Sequence, residues 1–243
     1  VAGWPLDTVA TLTIDDDFDP SNGVLFENAY DRGGQDRIYI ELSGIFDLQP
    51  GHVVTVSDAQ YTLYHQITNL VVTGFDLELD LIFGSADPNT SVNAHFINPG
   101  TDWVWRSTTA GENGLWVMDF SQPGPNPGEE TLLDIKPGTG GAATQWGLLP
   151  GEGGQTHFAY NLPNPSFSAR LTENEVHGYG WPVGANVTLT LDDPATPQSI
   201  DFTDTRTVVV ADWDPNQTFV RFEISALTLQ PGMSIALTDG VIP

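Results

Sequence analysis

"WPLDTVATLTIDD" runs from Trp4 to Asp16, and "WPVGANVTLTLDD" runs from Trp181 to Asp193. The two align without a gap, 177 positions apart. A second block repeats too: "LQPGHVVTVSD" (Leu48 to Asp58) answers "LQPGMSIALTD" (Leu229 to Asp239), now 181 positions apart. Between the blocks, "IELS" (Ile40 to Ser43) answers "FEIS" (Phe222 to Ser225). The intervening loops differ in length and content. A framework that repeats while its loops vary marks a duplicated domain.

Each copy reads as strands. Ala10, Leu12 and Ile14 alternate with Val9, Thr11 and Thr13; Val187, Leu189 and Leu191 alternate with Asn186, Thr188 and Thr190. Period 2 with threonine on the solvent face is a half-buried strand. "QPG" before Val53-Val-Thr-Val56 and before Ser234-Ile-Ala-Leu237 predicts a type II turn, with Pro presetting φ and Gly taking φ > 0. The Asp pair after the first strand offers acceptors that end it in a turn. Trp4 and Trp181 are expected to cap a core, with Pro5 and Pro182 blunting an edge.

The middle of the chain, about residues 70–165, is also β in pattern. "LVVTGFD" and "LELDLIFGSADPNTSV" predict short strands broken at Gly74, Gly84 and Pro88. "TDWVWRSTTA" followed by "GENGLWVMDF" predicts a hairpin turning at Glu112-Asn-Gly114. Gln122 to Gly154, rich in Gly and Pro, is expected to be a long ordered loop. Short strands at 8–12-residue spacing give an all-β chain of sandwich modules, divided at 1–69, 70–165 and 166–243.

Composition bounds the function. The chain has 243 residues, room for two or three domains of roughly 100–150 residues each. Thirty-two Asp plus Glu against 7 Lys plus Arg leave a net charge of −25. Such a chain repels nucleic acid, which is excluded as a partner. The excess reads first as a solvated surface that resists nonspecific association, and alternatively as divalent-cation binding or a salty habitat. No apolar run approaches the roughly 18 residues that cross a bilayer, so no membrane span is expected. Cysteine is absent, which removes disulfide, zinc-thiolate and thiol-nucleophile chemistry. The first residue is Val1, read as the start of a processed product or a fragment. Asn89, Asn186 and Asn216 head glycosylation sequons, which point to export as a glycoprotein.

"GSADPNTSV" (Gly84 to Val92) followed by "ENGLWVMDF" (Glu112 to Phe120) resembles the bacterial immunoglobulin-like modules of surface and secreted proteins. Their loose pattern is G-x-A-x-P-G-x-x-V, then a glycine shortly before a tryptophan. Asn89 stands where that pattern has glycine, and Asn also tolerates φ > 0. The combination of "GWP", "VTLTxDD", "LQPG" and "TNLxVTG" is similar to a repeat in large exported multidomain proteins of environmental bacteria. The resemblance implies tandem Ig-like β-sandwiches that serve as spacers, stalks or adhesive elements at the cell surface or outside the cell.

Three sets of residues are candidate sites. Asp15, Asp17, Asp19 and Asn22 place hard oxygen donors at close spacing, as calcium requires, although no glutamate stands at the twelfth position of an EF-hand loop. Asp192 and Asp193 keep only the pair common to both copies, which reads as turn chemistry. Trp103 and Trp105 share one side of a strand and, with Trp146, are candidates for stacking on sugar rings of surface glycans; core packing is the competing reading. The five histidines, His52, His65, His95, His157 and His177, show no metalloprotease spacing, and no nucleophile elbow, P-loop or dinucleotide fingerprint occurs. No catalytic residue is assigned, and calcium is the single cofactor considered.

The ends of the two copies differ. "PSFSARLTENEVHGYG" (Pro165 to Gly180) precedes copy two, and copy one has no equivalent. "QYTLYHQITNL" (Gln60 to Leu70) follows copy one, and copy two has no equivalent. Either the chain was excised from a longer array or subunits complete one another by strand addition, a head-to-tail contact that does not close and so makes a filament. The leading expectation is a non-catalytic extracellular protein that self-assembles in this way. The alternatives are an adhesive or spacer array, or a carbohydrate-binding accessory module.

Overall fold

The computed structural model describes residues 9–18, 24–31, 39–97 and 103–240. All regular structure among them is antiparallel β. The chain divides into two compact units, Val1–Ile135 with Gly140–Tyr160, and Lys136–Thr139 with Asn161–Pro243. The first expected module and the body of the second therefore lie in one unit.

In the first unit, β1 (Val9–Asp15), β2 (Phe26–Asp31), β3 (Val53–Ser57) and β4 (Thr62–Gln66) form a sheet ordered β2-β1-β3-β4. Ala10, Leu12 and Ile14 of β1 are buried with Val56, and Phe26, Tyr30, Ile40, Leu42, Phe46 and Val54 pack against them. The same unit holds β5 (Val71–Asp76), β6 (Leu81–Ser85), β7 (Ser91–Ile97), β8 (Trp103–Thr109), β9 (Leu115–Asp119), β10 (Gly140–Trp146) and β11 (Gln155–Asn161). They make two sheets, β11-β10-β7-β8 and β5-β6-β9. Phe96 of β7 meets Phe120 edge-on at 4.9 Å, and Phe75 of β5 meets Tyr160 of β11 at 5.2 Å, so aromatic rings join the sheets into a sandwich. Tyr160 donates its hydroxyl to His95 O at 2.8 Å.

The second unit contains β12 (Ser166–Arg170), β13 (Glu175–Tyr179), β14 (Asn186–Asp192), β15 (Phe202–Thr207), β16 (Val209–Ala211), β17 (Asp214–Glu223) and β18 (Ser234–Thr238). A sheet ordered β12-β13-β17-β16 faces one ordered β15-β14-β18. Val176, Val220 and Phe222 from the first and Val187, Leu189 and Leu191 from the second fill the space between, with Trp181 at its margin. Trp4 and Pro5 lie outside the described residues. Asn174, at φ 59°, ties the hairpin turn to the later crossover. Its amide donates to Leu227 O at 2.8 Å and accepts from Leu229 N at 2.7 Å.

The repeat is a repeat of register. In copy one Thr11, Leu12, Thr13 and Ile14 sit opposite Ser57, Val56, Thr55 and Val54. In copy two Thr188, Leu189, Thr190 and Leu191 sit opposite Thr238, Leu237, Ala236 and Ile235. These are the same partners shifted by the two sequence offsets. On the other flank Ile14 meets Phe26, and Leu191 meets Phe202. The glycines of both QPG turns have positive φ, 94° at Gly51 and 101° at Gly232. "IELS" is not a strand, yet Ile40 and Leu42 pack inward as Phe222 and Ile224 do in copy two.

Three expectations for the middle of the chain are corrected. The turn at Glu112-Asn-Gly114 exists, with Gly111 N–H reaching Leu115 O at 2.8 Å. However, β8 pairs with β7 and β9 with β6, so the turn crosses between sheets instead of closing a hairpin. The stretch from Gln122 to Gly154 is not all loop, because β10 runs through it in the interior of a sheet. Gly74 and Gly84 do not break their strands. Gly74 follows a register shift in β5, and a Cβ on Gly84 would stand 2.0 Å from Val71 O and 2.7 Å from the Trp116 ring. Glycine there permits close packing, as it often does in strands.

Leu189 has no exposed surface and lies in the repeated register. Leu189→Ala is expected to lower unfolding free energy by about 2–5 kcal/mol, while the outward Thr190→Ala stays within about 1 kcal/mol. Denaturant unfolding of the two variants measures the difference.

Candidate functional site

The sheet β11-β10-β7-β8 turns one face to the core and one to solvent. Val104 and Arg106 of β8 point inward, so Trp103 and Trp105 point out. Register places Trp105 opposite His95, and His95 opposite Ala142 on β10. Trp146 has the parity of Ala142 on the same strand, so all three tryptophans share the outer face. They are 64%, 40% and 59% exposed, respectively. Trp146 stands four residues along from Ala142, about 14 Å at 3.4 Å per residue, so it does not join the other two in one platform.

Trp103 stacks on His95, with centroids 4.4 Å apart and planes 20° from parallel. Burial, and then the charge of His157, hold the His95 imidazole below its ordinary value near 6.5. Trp105 is covered on one side, where a Cβ on Gly128 would lie 3.2 Å from the indole. Beside it Asn126 donates to Ser107 Oγ at 2.8 Å, and Ser107 donates to the buried Glu129 at 2.6 Å. Arg106, buried beneath, donates to Gln122 O at 2.9 Å and Thr131 O at 2.7 Å. Burial lowers the Arg106 guanidinium from its usual value, against the opposing charges of Glu129, Asp119 and Glu130. The loop between Gln122 and Thr131 is thereby tied to the side chains of β8. What the face offers a ligand is a ring surface on Trp103 next to amide, hydroxyl and imidazole groups, which suits a sugar.

A second cluster ties β4 to the start of β11 and the segment before it. His65 Nε2 lies 2.9 Å from Thr156 Oγ1, and its Nδ1 lies 3.2 Å from Glu152 Oε1. The order hydroxyl, imidazole, carboxylate is that of a nucleophilic triad. Each atom also serves a backbone group. Thr156 Oγ1 accepts from Thr68 N at 3.0 Å, and Glu152 accepts from Gln66 N at 2.6 Å and Leu149 N at 2.5 Å. Gly153 N–H adds a bond to Tyr64 O, and Tyr64 donates its hydroxyl to Pro150 O at 2.8 Å. A cavity of 130 Å³ adjoins the cluster, lined by Gln66, Thr68, Asp87 and Glu152 among others. This geometry is a latch along β4. No sequence motif announces it, because its members are more than 80 residues apart.

Among the described residues the carboxylates of Asp15, Asp16 and Asp17 lie within 4.8 Å of one another. Asp19 and Asn22, the other expected calcium ligands, lie outside the described residues. In copy two the corresponding aspartates do turn chemistry. Asp193 Oδ1 accepts from Ala195 N at 2.9 Å, and Asp193 N–H donates to Asp201 at 2.6 Å. Asp15 uses Oδ1 in a similar local bond, to Asp16 N at 2.8 Å.

Asn89, Asn186 and Asn216 are all exposed, Asn89 with φ 60° in its turn as the glycine-tolerant position required. Asn216 also lines an open cleft of 550 Å³ in the second unit, with Asn161, Tyr179, Trp181 and Gln217.

No family model matches the chain, and no curated protein matches it. Among solved structures the chain is similar to one described as a tetra-tandem repeat in the extending region of a large adhesion protein. The identity is 13% and the TM-score 0.27, covering 92% of this chain and 61% of that one. A TM-score this low does not equate the two folds.

His65, His95 and His157 are all held below the ordinary imidazole value, chiefly by burial. Their unfolded forms therefore take up protons first. Stability is complete above about pH 6.5 and falls as pH drops from there through each folded pKa. Chemical-denaturation midpoints between about pH 7 and 5.5 should decline, with a shallower slope in His65→Gln. For the aspartate loop the expected outcome is weak Ca²⁺ uptake by calorimetry that Asp17→Asn removes; no heat at millimolar Ca²⁺ ends that expectation.

Proposed function

We propose that this chain is a non-catalytic structural element of an exported surface protein, built from Ig-like repeats and joined end to end into an extended filament. The modules of the array are residues 1–69, 70–165 and 166–243, and the partner is another copy of the same kind. The observation that carries this reading is the repeated register, in which two distant segments fold with the same three-strand arrangement, β2-β1-β3 and β15-β14-β18. Repeats of one supersecondary unit suit extension, because each added unit presents the same surfaces to the next. A net charge of −25 supports a well-solvated location outside the cell. Without polymerisation the same array acts as a spacer or adhesive stalk. The exposed Asn89, Asn186 and Asn216 are the places for attached sugars.

A second reading has its own observation. The Trp103–His95 stack, with Trp105 beside it, favours an adhesive role toward glycans. A glycan array is its test, with binding expected for the intact chain and lost in Trp103→Ala.

Electron microscopy of concentrated protein tests the first reading. Fibres that persist at high salt are expected, since an apolar contact is screened little by ions. Monodisperse particles at all concentrations would sink the filament and leave the spacer.

A further inference from the structure

The open cleft of 550 Å³ in the second unit is lined by residues of that unit alone. The turn after β13 forms its floor. Gly180, at φ 82°, donates its N–H to Thr218 Oγ1 at 3.1 Å, and a Cβ on it would lie 2.9 Å from Asn164 O. The turn thus lies between residues 161–163 and residues 216–218, which form the two walls.

An irregularity in β17 builds the second wall. Thr218 stands opposite Val210, but Asp214 stands opposite Ala211, so Pro215, Asn216 and Gln217 have no partner on β16. The ladder to β13 stops at Phe219. A bulge re-aims side chains, and bulges recur beside functional sites. Asn216 N–H donates to Asp214 Oδ1 at 2.9 Å, which fixes the bulge locally. Asn216 and Gln217 are exposed, and their side-chain amides, like that of Asn161, bond no described residue.

The lining is uncharged. Among the described residues the cleft holds no carboxylate, ammonium, guanidinium or imidazole, although the chain has 32 Asp plus Glu. It offers three side-chain amides, the Thr218 hydroxyl, the Tyr179 ring and two prolines. Trp181 also lines it, and its indole N–H is a donor with no partner among the described residues. Outside the cleft the aromatic surface continues. Gly178 and Val220 face the core, so Tyr179 and Phe219, paired beside them, face out. Tyr179 meets Phe219 at 5.6 Å, and Phe219 meets the exposed Trp213 edge-on at 4.7 Å. A row of rings runs from the cleft to an open indole.

We propose that this cleft, with the ring row beside it, binds an uncharged oligosaccharide. A side-chain amide carries donor and acceptor together, as does a sugar hydroxyl, so the three amides match neighbouring hydroxyls. The C–H faces of sugar rings pack on Tyr179 and Trp213. Acidic sugars are disfavoured, because the cleft holds no cation and the chain carries −25. A proline-rich peptide needs a groove lined by exposed aromatic rings, and Trp181 is only 4% exposed. The site is independent of the Trp103 face in the first unit.

The intact chain tests it, made without glycosylation and checked by mass so that any sugar detected is free ligand and not one attached at Asn216. Neutral and acidic glycans are screened on an array and the hits titrated by calorimetry, in the intact chain and in Trp103→Ala. The expected result is saturable binding of a neutral glycan that survives Trp103→Ala. It should weaken at least about tenfold in the double variant Asn216→Ala with Gln217→Ala, and weaken also in Trp213→Ala, all exposed positions that leave the fold intact. Binding lost in Trp103→Ala and kept in the double variant refutes this site and supports the first unit's face. Binding of acidic glycans alone, or of a proline-rich peptide where no glycan binds, overturns the proposal. Absence of all glycan binding overturns both.

Discussion

The inward row on β1 and β14 sets the terms for both copies. Ala10, Leu12 and Ile14, like Val187, Leu189 and Leu191, are buried on one face while threonine faces out. A slip of one residue would turn the whole row to water. Each fully buried leucine or isoleucine contributes roughly 1.5–3 kcal/mol, so a slip forfeits several at once. This row fixes β3 and β18 in the same register even though only three of their five positions match in chemical type. The loops, which carry no such constraint, have diverged.

Sheet edges are where the copies part. β4 is held by Glu152 and Gly153, and β8 by the loop that Arg106 and Glu129 anchor. The first satisfies edge backbone groups of β4 from within the chain, and the second holds a loop against the side chains of Trp105 and Ser107. β12 ends in Arg170, a charge suited to an exposed edge. Among the described residues β18 carries no such device.

Local pattern made much of the fold legible. Alternation named the buried face of β1 and β14, and turn chemistry named Gly51, Gly232 and Asn89 as positive-φ positions. Alternation says which way a side chain points but not which strand lies next to it. Hence β8 and β9 read as a hairpin although they belong to different sheets. β10 escaped notice because "GGAATQW" is built of small residues. A Cβ on Gly141 would meet His95 O at 1.9 Å and the Tyr160 ring at 2.9 Å, so packing demands the residues that hide the strand. In the candidate site it was readable that Trp103 and Trp105 share one side of a strand; that this side faces solvent was not, because a tryptophan suits a core as well. The stacking of His95 on Trp103 depends on the register of two paired strands, and the latch of His65, Glu152 and Thr156 joins distant segments, so neither had a local signature.

One-sided pairing also has a mechanical side. A strand bonded along a single edge yields to traction by peeling, one backbone bond after another, each step small. Among the described residues β18 is bonded along one edge, while β14 beside it is bonded along both. The two ladders of β14 have to break together, which raises the barrier that forced unfolding must cross. Under pull, tension in this sheet is therefore borne chiefly by β14, so that the strand whose buried row sets the register is also the one that holds longest.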